Sequence, residues 1–430
     1  MARTGAPRSG WAAVAWQAAR MAWLSTPAHG RWLEAETDRL WDFGRASRVA
    51  GGGFARLDDV GRPLPGPLEL WITCRATHVY ALAHLAGRPG AAGLVDHGLA
   101  SLAGPFHDGE HGGWFAEVEA DGAPRVTTKA AYPHAFVVLA ASSATAAGRP
   151  GARALLDEAL AAQERWFWDD AAGMVVEEWD RTFTTLDAYR GVNANMHTVE
   201  AYLAAADVTG DRVWLDRALR VVERVVHGFA RGNAWRIPEH FDAGWQPDLE
   251  YNADTPAHPF RPYGATVGHW FEWARLTLHA RAALGVRGDA APAWMLQDAV
   301  ALFDAGVREG WAVDGAPGFV YTVDWQGRPV VRERMHWVAA EAVAAAAALH
   351  AATGDARFEA LYTSWWDYVG EHVLDRAGGS WWHELGPDNR VSRTVWAGKA
   401  DLYHAVQATL VPRLPLTPAL APALAAGLLG

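Results

Sequence analysis

A short glycine-containing turn recurs along the chain and constrains its fold more than any other feature. It occurs at five places, residues 87–90, 148–151, 210–211, 288–289 and 354–355. Each turn follows one Ala/Leu-rich helical stretch and precedes another, as expected where glycine ends a helix and proline or aspartate begins the next. The interval is roughly 60 to 75 residues, and self-similarity at such a period predicts a repeat architecture.

A second signal follows each turn, where a glycine or asparagine stands beside aromatic residues. It occurs at residues 113–115, 173–175, 233–235, 318–320 and 379–382. Such segments are typical of short strands in loops. The repeating unit is therefore predicted to be a helix, a tight turn, a second helix and a long loop with a small hairpin.

Two sets of six helices follow from this unit. Helices that run from a long loop to a tight turn begin near Trp71, Lys129, Asn193, Thr266, His336 and Gly398. Their partners begin near Arg31, Ala91, Gly151, Arg212, Ala290 and Asp355. Hairpins of alternating direction can close into a ring, so the predicted fold is an all-α, six-fold α/α barrel with short β-hairpins in the long loops. An open superhelix is the competing arrangement, but the chain length and the tight turns favour closure.

The first set is predicted to be the inner one. The helix from His336 carries small residues on every side and can be packed closely all round. The second set is more charged, and the stretch 211–217 shows one polar face. Hydrophobic residues make up 50% of the 430, enough for one large core, so we expect a single catalytic domain over residues 1–430. Its C-terminal tail, Leu414 to Gly430, is rich in proline and alanine.

Composition excludes several classes of function. The formal net charge of -11 argues against nucleic acid and anionic membranes as partners. The single cysteine, Cys74, excludes a disulfide framework and a cysteine-based zinc site. No stretch resembles a membrane span, and the early apolar stretch from Trp11 to Leu24 lacks a small-residue cleavage signature, so we expect a cytoplasmic protein. Monomer and homo-oligomer both fit the sequence.

Polar and aromatic side chains cluster in the first turns of the predicted inner helices. They are Trp71, Arg75 and His78; Lys129 and Tyr132; Asn193, His197 and Glu200; His269 and Glu272; Trp337 and Glu341; and Lys399 and His404. If these helices are parallel, their first turns meet at one mouth of the barrel. Burying unpaired polar groups costs several kcal/mol, so a shared polar funnel explains the pattern better than core packing does. Helix N-termini also favour negative charge, which suits an oxyanion intermediate.

Each residue also has a structural interpretation. A single helical histidine is more often a hydrogen-bonded structural residue than a catalyst. Arg75 could simply pair with Glu341 or Glu272, and Tyr132 and Trp337 could be core aromatics. The functional interpretation therefore depends on convergence of these residues in one cavity.

Motifs for cofactors and metals are missing from the sequence. His269 and Glu272 have i, i+3 ligand spacing, but there is no His-Glu-x-x-His and few carboxylates accompany them. The glycine-rich nucleotide motifs and the Gly-x-Ser-x-Gly nucleophile elbow are also missing. We therefore predict neither a metal nor a cofactor.

Six stretches together resemble one family. They are Arg75-Ala-Thr-His-Val-Tyr80, Tyr132-Pro-His-Ala-Phe136, Asn193-Ala-Asn-Met-His197 with Glu200, Pro238-Glu-His-Phe241, Pro262-Tyr-Gly-Ala-Thr-Val-Gly-His269 with Glu272-Trp273, and Trp396-Ala-Gly-Lys-Ala-Asp-Leu-Tyr-His404. This set, spread over about residues 70 to 405, resembles the N-acylglucosamine 2-epimerase superfamily, and within it the aldose–ketose isomerase branch. One departure is His336-Trp337, where 2-epimerases of the superfamily often have two tryptophans.

The resemblance implies a six-fold α/α barrel and metal-free proton transfer between a sugar and two histidines. By motif, the catalytic pair falls on His269 and His404. The sugar-binding residues of the family fall on Arg75, Tyr132, Asn193, His197 and Glu272. To these we add Trp71 and Trp337 as apolar walls and Glu341 as a polar member of the funnel.

The expected chemistry converts an aldose to a 2-ketose through an enediolate. His404 would carry the proton between C2 and C1, and His269 would open the ring and move protons on O1 and O2. Arg75 would stabilise the oxyanion, and Glu272 would orient His269. The resemblance favours interconversion of D-mannose and D-fructose. The alternatives are a 2-epimerase of N-acylglucosamine or cellobiose type, a sulfoquinovose isomerase, a glycoside hydrolase and a non-catalytic sugar-binding protein.

Overall fold

The structure is a computed structural model, and it describes residues 22–430. Residues 11–21 of the early apolar stretch therefore lie outside the described residues. The described helices are α1 (Pro27–Gly44), α2 (Leu70–Leu85), α3 (Ala91–Ala103), α4 (Ala131–Ala146), α5 (Ala152–Ala162), α6 (Val192–Thr209), α7 (Arg212–Val222), α8 (Val267–Val286), α9 (Ala293–Gly310), α10 (His336–Thr353), α11 (Ala356–Tyr368), α12 (Tyr403–Leu410) and α13 (Leu420–Ala425). None of them is long and apolar enough to cross a membrane.

The even-numbered helices α2 to α12 form a closed inner ring. Each packs against the next, and α12 packs against α2. The odd-numbered helices α1 to α11 form the outer layer, each against an inner helix. The sixth hairpin joins α1 to α12, so the two ends of the described chain close the ring. The predicted six-fold α/α barrel is confirmed.

Local sequence explains which helices lie inside. Ten of the 18 residues of α10 are alanine, and all its residues from Val338 to Leu349 are buried, whereas α7 buries one face only. The tight turns end helices as predicted, since Gly210 and Gly354 adopt left-handed φ angles of 75° and 69°. The following aspartate, in both turns, caps the next helix through its side chain.

Short strands join the long loops at the N-terminal ends of the inner helices. They are β1 (Leu68–Glu69), β2 (Glu117–Val118), β3 (Pro124–Val126), β4 (Lys129–Ala130), β5 (Trp168–Asp169), β6 (Met174–Val175), β7 (Glu178–Trp179), β8 (Arg190–Gly191), β9 (His240–Phe241), β10 (Ala265–Thr266), β11 (Thr322–Val323), β12 (Arg334–Met335) and β13 (Glu384–Leu385). The strand before each of the first five inner helices pairs antiparallel with the loop of the following repeat: β1 with β2, β4 with β7, β8 with β9, β10 with β11 and β12 with β13. These strand pairs connect neighbouring loops into a ring around the end of the barrel where the inner helices begin.

Some details differ from the sequence prediction. The segments at 173–175, 113–115, 318–320 and 379–382 do form strand pairs or single bridges, but residues 233–235 form a turn without a strand. The sixth inner helix begins at Tyr403 rather than near Gly398, because Gly398 takes a left-handed φ of 75° in irregular backbone. That helix is only 8 residues long.

The C-terminal tail packs over the barrel rather than extending from it. Helix α13 contacts α2, α4 and α6, and the Ala419 N–H donates 2.7 Å to Asp207 near the C-terminal end of α6. The tail therefore covers the end of the barrel opposite the loops that the short strands connect.

Candidate active site

A cavity of about 750 Å³ opens at the N-terminal ends of the inner helices. All six inner helices contribute to its wall. Nine of the ten predicted site residues line it: Trp71, Arg75, Tyr132, Asn193, His197, His269, Glu272, Trp337 and His404. Glu341 lies behind this wall. Of the other polar residues in the first turns, His78 bonds Ser143, while Lys129 and Lys399 are buried against aspartates away from the cavity.

His404 is held by a buried carboxylate. Its Nδ1 lies 3.0 Å from Glu341 Oε1, and Glu341 Oε2 accepts a hydrogen bond of 2.9 Å from Arg275 Nε. Burial alone would raise the pKa of Glu341, but the charge of Arg275 and the bond from His404 lower it to about 2. Because an ionised carboxylate only accepts, Nδ1 carries a proton and Nε2 keeps the lone pair of the neutral ring.

His269 is held in the same way by a different residue. Its Nδ1 lies 3.0 and 2.9 Å from the two oxygens of Glu239, which is 4% exposed and immediately precedes strand β9. The expectation that Glu272 orients His269 is therefore wrong. Glu272 stands one turn along the helix from His269, but its Oε1 lies 3.7 Å from His197 and 3.8 Å from Arg275.

The two histidines share one tryptophan wall. The Trp337 ring centroid lies 5.4 Å from that of His269 and 5.5 Å from that of His404. This contact needs Gly268, where a Cβ would come within 2.2 Å of the Trp337 ring. Both imidazoles therefore border the same cavity, which is the juxtaposition that the sequence argument required.

Arg75 pairs with Asp401, not with Glu341 or Glu272. Its guanidinium also donates 3.0 Å to the Tyr132 hydroxyl. Aromatic rings surround it, with Phe136 at 4.4 Å and Tyr403 at 4.6 Å from the guanidinium carbon. Burial raises the pKa of Tyr132 to about 12, so its phenol stays protonated and available as a hydrogen-bond group.

Glu272 is a buried carboxyl without a hydrogen-bond partner among the described residues. Burial, and then the negative charge of Glu341, raise its pKa well above the usual range. The neighbouring His197 is neutral, because burial lowers its pKa to about 3. Glu272 can therefore act as a neutral donor at the cavity wall.

Several wall residues were not predicted. All but one of them lie in the loops, and the exception, His336, is the first residue of α10. They are Pro259, Phe260, Pro262, Tyr321, His336, His383, Trp396, Ala397, Ala400 and Asp401. The rings of Phe260 and Trp396 lie 5.1 Å apart at the mouth, and His336 stacks on His383 at 3.9 Å. The motifs around Pro238 and Trp396 were the signals that could have pointed to Glu239 and Asp401.

Two groups of side chains have metal-ligand spacing in the described part of the chain. One is His197, Glu200 and Glu272, and the other is Glu272, Glu341 and His404. Glu200 bonds Tyr403 and Gln407, and Glu341 bonds Arg275 and His404, whereas Glu272, which belongs to both groups, has no hydrogen-bond partner among the described residues. Arg275 already supplies a buried positive charge to Glu272 and Glu341, and this charge disfavours a divalent cation beside them.

Comparison with known proteins places this geometry in a family. The model of the N-acylglucosamine 2-epimerase (GlcNAc 2-epimerase) family matches residues 52–408, and the chain belongs to this family. It is 54% identical over 405 residues to D-mannose isomerase of Thermobifida fusca, covering 94% of this chain and 98% of the relative. It is 51% identical over 404 residues to D-mannose isomerase of Pseudomonas cannabina pv. alisalensis, covering 94% and 97%.

Solved structures agree with the fold. A crystal structure of D-mannose isomerase superposes with a TM-score of 0.83 at 29% identity, covering 90% of this chain and 99% of that one. Cellobiose 2-epimerase from Spirochaeta thermophila DSM 6192 gives a TM-score of 0.77 at 20% identity, covering 94% and 98%, which supports the barrel alone.

Proposed function

We propose that the protein is an aldose–ketose isomerase that interconverts D-mannose and D-fructose. The observation that carries the proposal is the pair His269 and His404 on one cavity, each bound at Nδ1 by a buried carboxylate. Relatives named D-mannose isomerase, 54% and 51% identical over nearly the whole chain, support the choice of sugar.

The reaction needs one proton moved from C2 to C1 of the open-chain sugar. His404 Nε2 removes the C2 proton, and the C–H electrons form the C1–C2 double bond while O1 becomes negative. His404 then gives the proton to C1, which takes it with the electrons of the C1–C2 double bond. O2 loses its own proton and becomes the new carbonyl oxygen, while O1 gains a proton and becomes a hydroxyl group. Histidine suits this task because it exchanges protons near neutral pH. His269 opens the ring and moves the protons on O1 and O2.

The remaining wall residues bind the sugar and stabilise the intermediate. Arg75 presents guanidinium donors to the enediolate oxygen, and a buried charged donor is effective there because little water competes. Tyr132, Asn193, His197 and Glu272 bind hydroxyl groups. Trp71 and Trp337 supply flat apolar walls for the faces of the sugar.

The shape of the mouth favours a single sugar ring. Phe260 packs against Trp71, Tyr132 and Trp396, with ring centroids 5.8, 6.0 and 5.1 Å apart. A second ring attached to the sugar would have to displace this cluster. We therefore favour a monosaccharide over a cellobiose-type substrate.

Turnover of D-mannose by the purified protein tests the proposal. Formation of D-fructose in the presence of a chelator, with solvent deuterium entering the product, is the expected result. Strict retention of the C2 hydrogen, or loss of activity with the chelator, would contradict metal-free proton transfer. A cytoplasmic location belongs to the same proposal, and fractionation of the producing cell tests it.

A 2-epimerase is the second candidate, favoured by the family to which the chain belongs. The same two histidines would then return the proton to the opposite face of C2 instead of to C1. Product analysis separates the two reactions, because isomerisation of D-mannose gives a ketose and epimerisation gives D-glucose.

A further inference from the structure

Glu384 forms an unusually dense set of hydrogen bonds next to the cavity. It begins strand β13, directly after the wall residue His383, and is 1% exposed. Its two oxygens accept five hydrogen bonds from one short segment, residues 392–396. The donors are Ser392 Oγ at 2.6 Å, Thr394 N at 2.8 Å, Thr394 Oγ1 at 2.7 Å, Val395 N at 2.8 Å and Trp396 N at 2.7 Å.

These bonds replace regular secondary structure. The five preceding inner helices, α2 to α10, are each entered through a strand, whereas residues 392–402 have no strand or helix. Backbone N–H groups in such a segment need partners, and an ionised carboxylate is a strong one. Burial would raise the pKa of Glu384, but the hydrogen bonds from Ser392, Trp396 and Thr394 lower it, so the charge is kept at neutral pH.

The segment held by Glu384 leads directly into the cavity wall. Trp396, Ala397, Ala400 and Asp401 follow along the chain and line the cavity. The indole of Trp396 lies 5.1 Å from the Phe260 ring, and the Arg56 guanidinium lies 5.7 Å from the indole. The backbone N–H of Trp396 is itself one of the five donors, so Glu384 holds the backbone of the residue that carries the indole.

A residue at the same register elsewhere does a comparable job. Glu384 pairs with Met335 just before α10, and His240 pairs with Gly191 just before α6. His240 Nε2 lies 2.9 Å from the Pro262 carbonyl oxygen, and Pro262 also lines the cavity. In both repeats this position therefore holds the backbone of an irregular loop that forms part of the wall.

We propose that Glu384 is a positioning residue that acts through Trp396: it holds residues 392–396 so that the indole lies against the bound sugar. This inference rests on the proposed function, in that the cavity must bind the substrate. It predicts an effect on substrate binding that disappears when the indole is absent.

A double-mutant cycle between Glu384→Gln and Trp396→Ala tests this. Glutamine keeps the size of the side chain but removes the charge and places an NH₂ group among donors. We expect KM to rise about tenfold in Glu384→Gln, given the usual strength of bonds to charged groups, while kcat falls by less. In the Trp396→Ala background, Glu384→Gln should change KM by less than about twofold.

Three comparisons keep the test decisive. Asp324→Asn is the matched control, because Asp324 accepts N–H bonds from Gln326 and Arg328, and none of residues 324–328 lines the cavity, although Tyr321 earlier in the same loop does. Its KM should stay at the wild-type value. If Glu384→Gln does not fold, Ser392→Ala and Thr394→Val remove single donors from the segment and should raise KM in the same direction by smaller factors.

Two results would overturn the inference: an unchanged KM in Glu384→Gln, or effects of Glu384→Gln and Trp396→Ala that simply multiply. The kinetics use whichever product wild type forms from D-mannose, ketose or C2 epimer. Failure of wild type to form D-fructose would therefore count against the proposed function, and failure of the cycle would count against Glu384 alone.

Discussion

The site has two halves, His269 with Glu239 and His404 with Glu341. Each histidine is bound at Nδ1 by a buried carboxylate, but the surroundings of the two carboxylates differ. His269 bonds Glu239, and no cation bonds that carboxylate among the described residues. His404 bonds Glu341, which also bonds Arg275. Among the described residues, Glu239 therefore has His269 as its only side-chain partner, besides the Thr266 N–H, whereas Glu341 is shared between a histidine and a buried arginine.

This difference has a consequence for what each carboxylate does. Removing Glu239 leaves one histidine without its acceptor. Removing Glu341 leaves a histidine without its acceptor and also a buried guanidinium without its main counter-charge. We therefore expect Glu239 to contribute mainly to catalysis, and Glu341 to contribute both to catalysis and to the stability of the folded barrel.

Replacing either histidine tests whether both halves are needed, and it should have the largest effect. His404→Ala and His269→Ala should each lower kcat by at least about a hundredfold, because each removes a proton-transfer group. Both variants should fold, and His372→Ala, outside the cavity, is the control. Near-normal turnover in either variant, measured as D-fructose formed per second, would remove that half from the mechanism.

Replacing the carboxylates tests the difference itself. Glu341→Gln and Glu239→Gln should each lower kcat/KM by about tenfold or more, because each loosens the orientation of its histidine. Only Glu341→Gln should also lower the free energy of unfolding by about 3 kcal/mol, because the buried guanidinium of Arg275 loses its main counter-charge. Urea unfolding followed by circular dichroism measures this. Equal losses of stability in the two variants would contradict the assignment.

Most of the barrel could be predicted because its signals repeat. The tight turns and the small-residue helices define inner and outer sets from the sequence alone. The sequence favoured a closed ring over an open superhelix, and the contact between α12 and α2 confirms closure. Nine of ten predicted site residues line the cavity because they share the first turns of parallel helices. Helical spacing determines which way such residues point.

The loop residues could not be predicted in the same way. Glu239 and His383 directly precede two-residue strands, and Asp401 lies in irregular backbone, where spacing does not indicate the direction of a side chain. Glu272 was assigned to His269 because the two are one turn apart. The structure gives that place to Glu239, 30 residues away in sequence. A contact of this kind depends on strand register and on the path of a loop. Both are determined by tertiary structure, so local spacing in the sequence does not reveal the contact.

A substitution at Gly268 would disturb both halves together. A Cβ at this position would come within 2.2 Å of the Trp337 ring, which contacts both imidazoles. Gly268→Ala should therefore lower kcat several-fold, and by a smaller factor than either histidine replacement. Gly285→Ala in the same helix, where a Cβ meets nothing within 4 Å, is the matched control. An unchanged kcat in Gly268→Ala would show that Trp337 does not fix the two rings.

The pH dependence of stability in acid should distinguish Glu341 from Glu239, and we expect it to be the smallest of these effects. The pKa of Glu341 is about 2 in the folded protein against an ordinary value of 4.5, so its ionised form stabilises the fold above pH 4.5. This stabilising contribution should be lost as pH falls from about 4.5 towards 2. Glu341→Gln should flatten that part of the stability curve, whereas Glu239→Gln should leave the contribution of Glu341 in place. Thermal unfolding of the three proteins between pH 5 and 3 compares them, and parallel curves for wild type and Glu341→Gln would show that the Arg275 pair does not provide the difference.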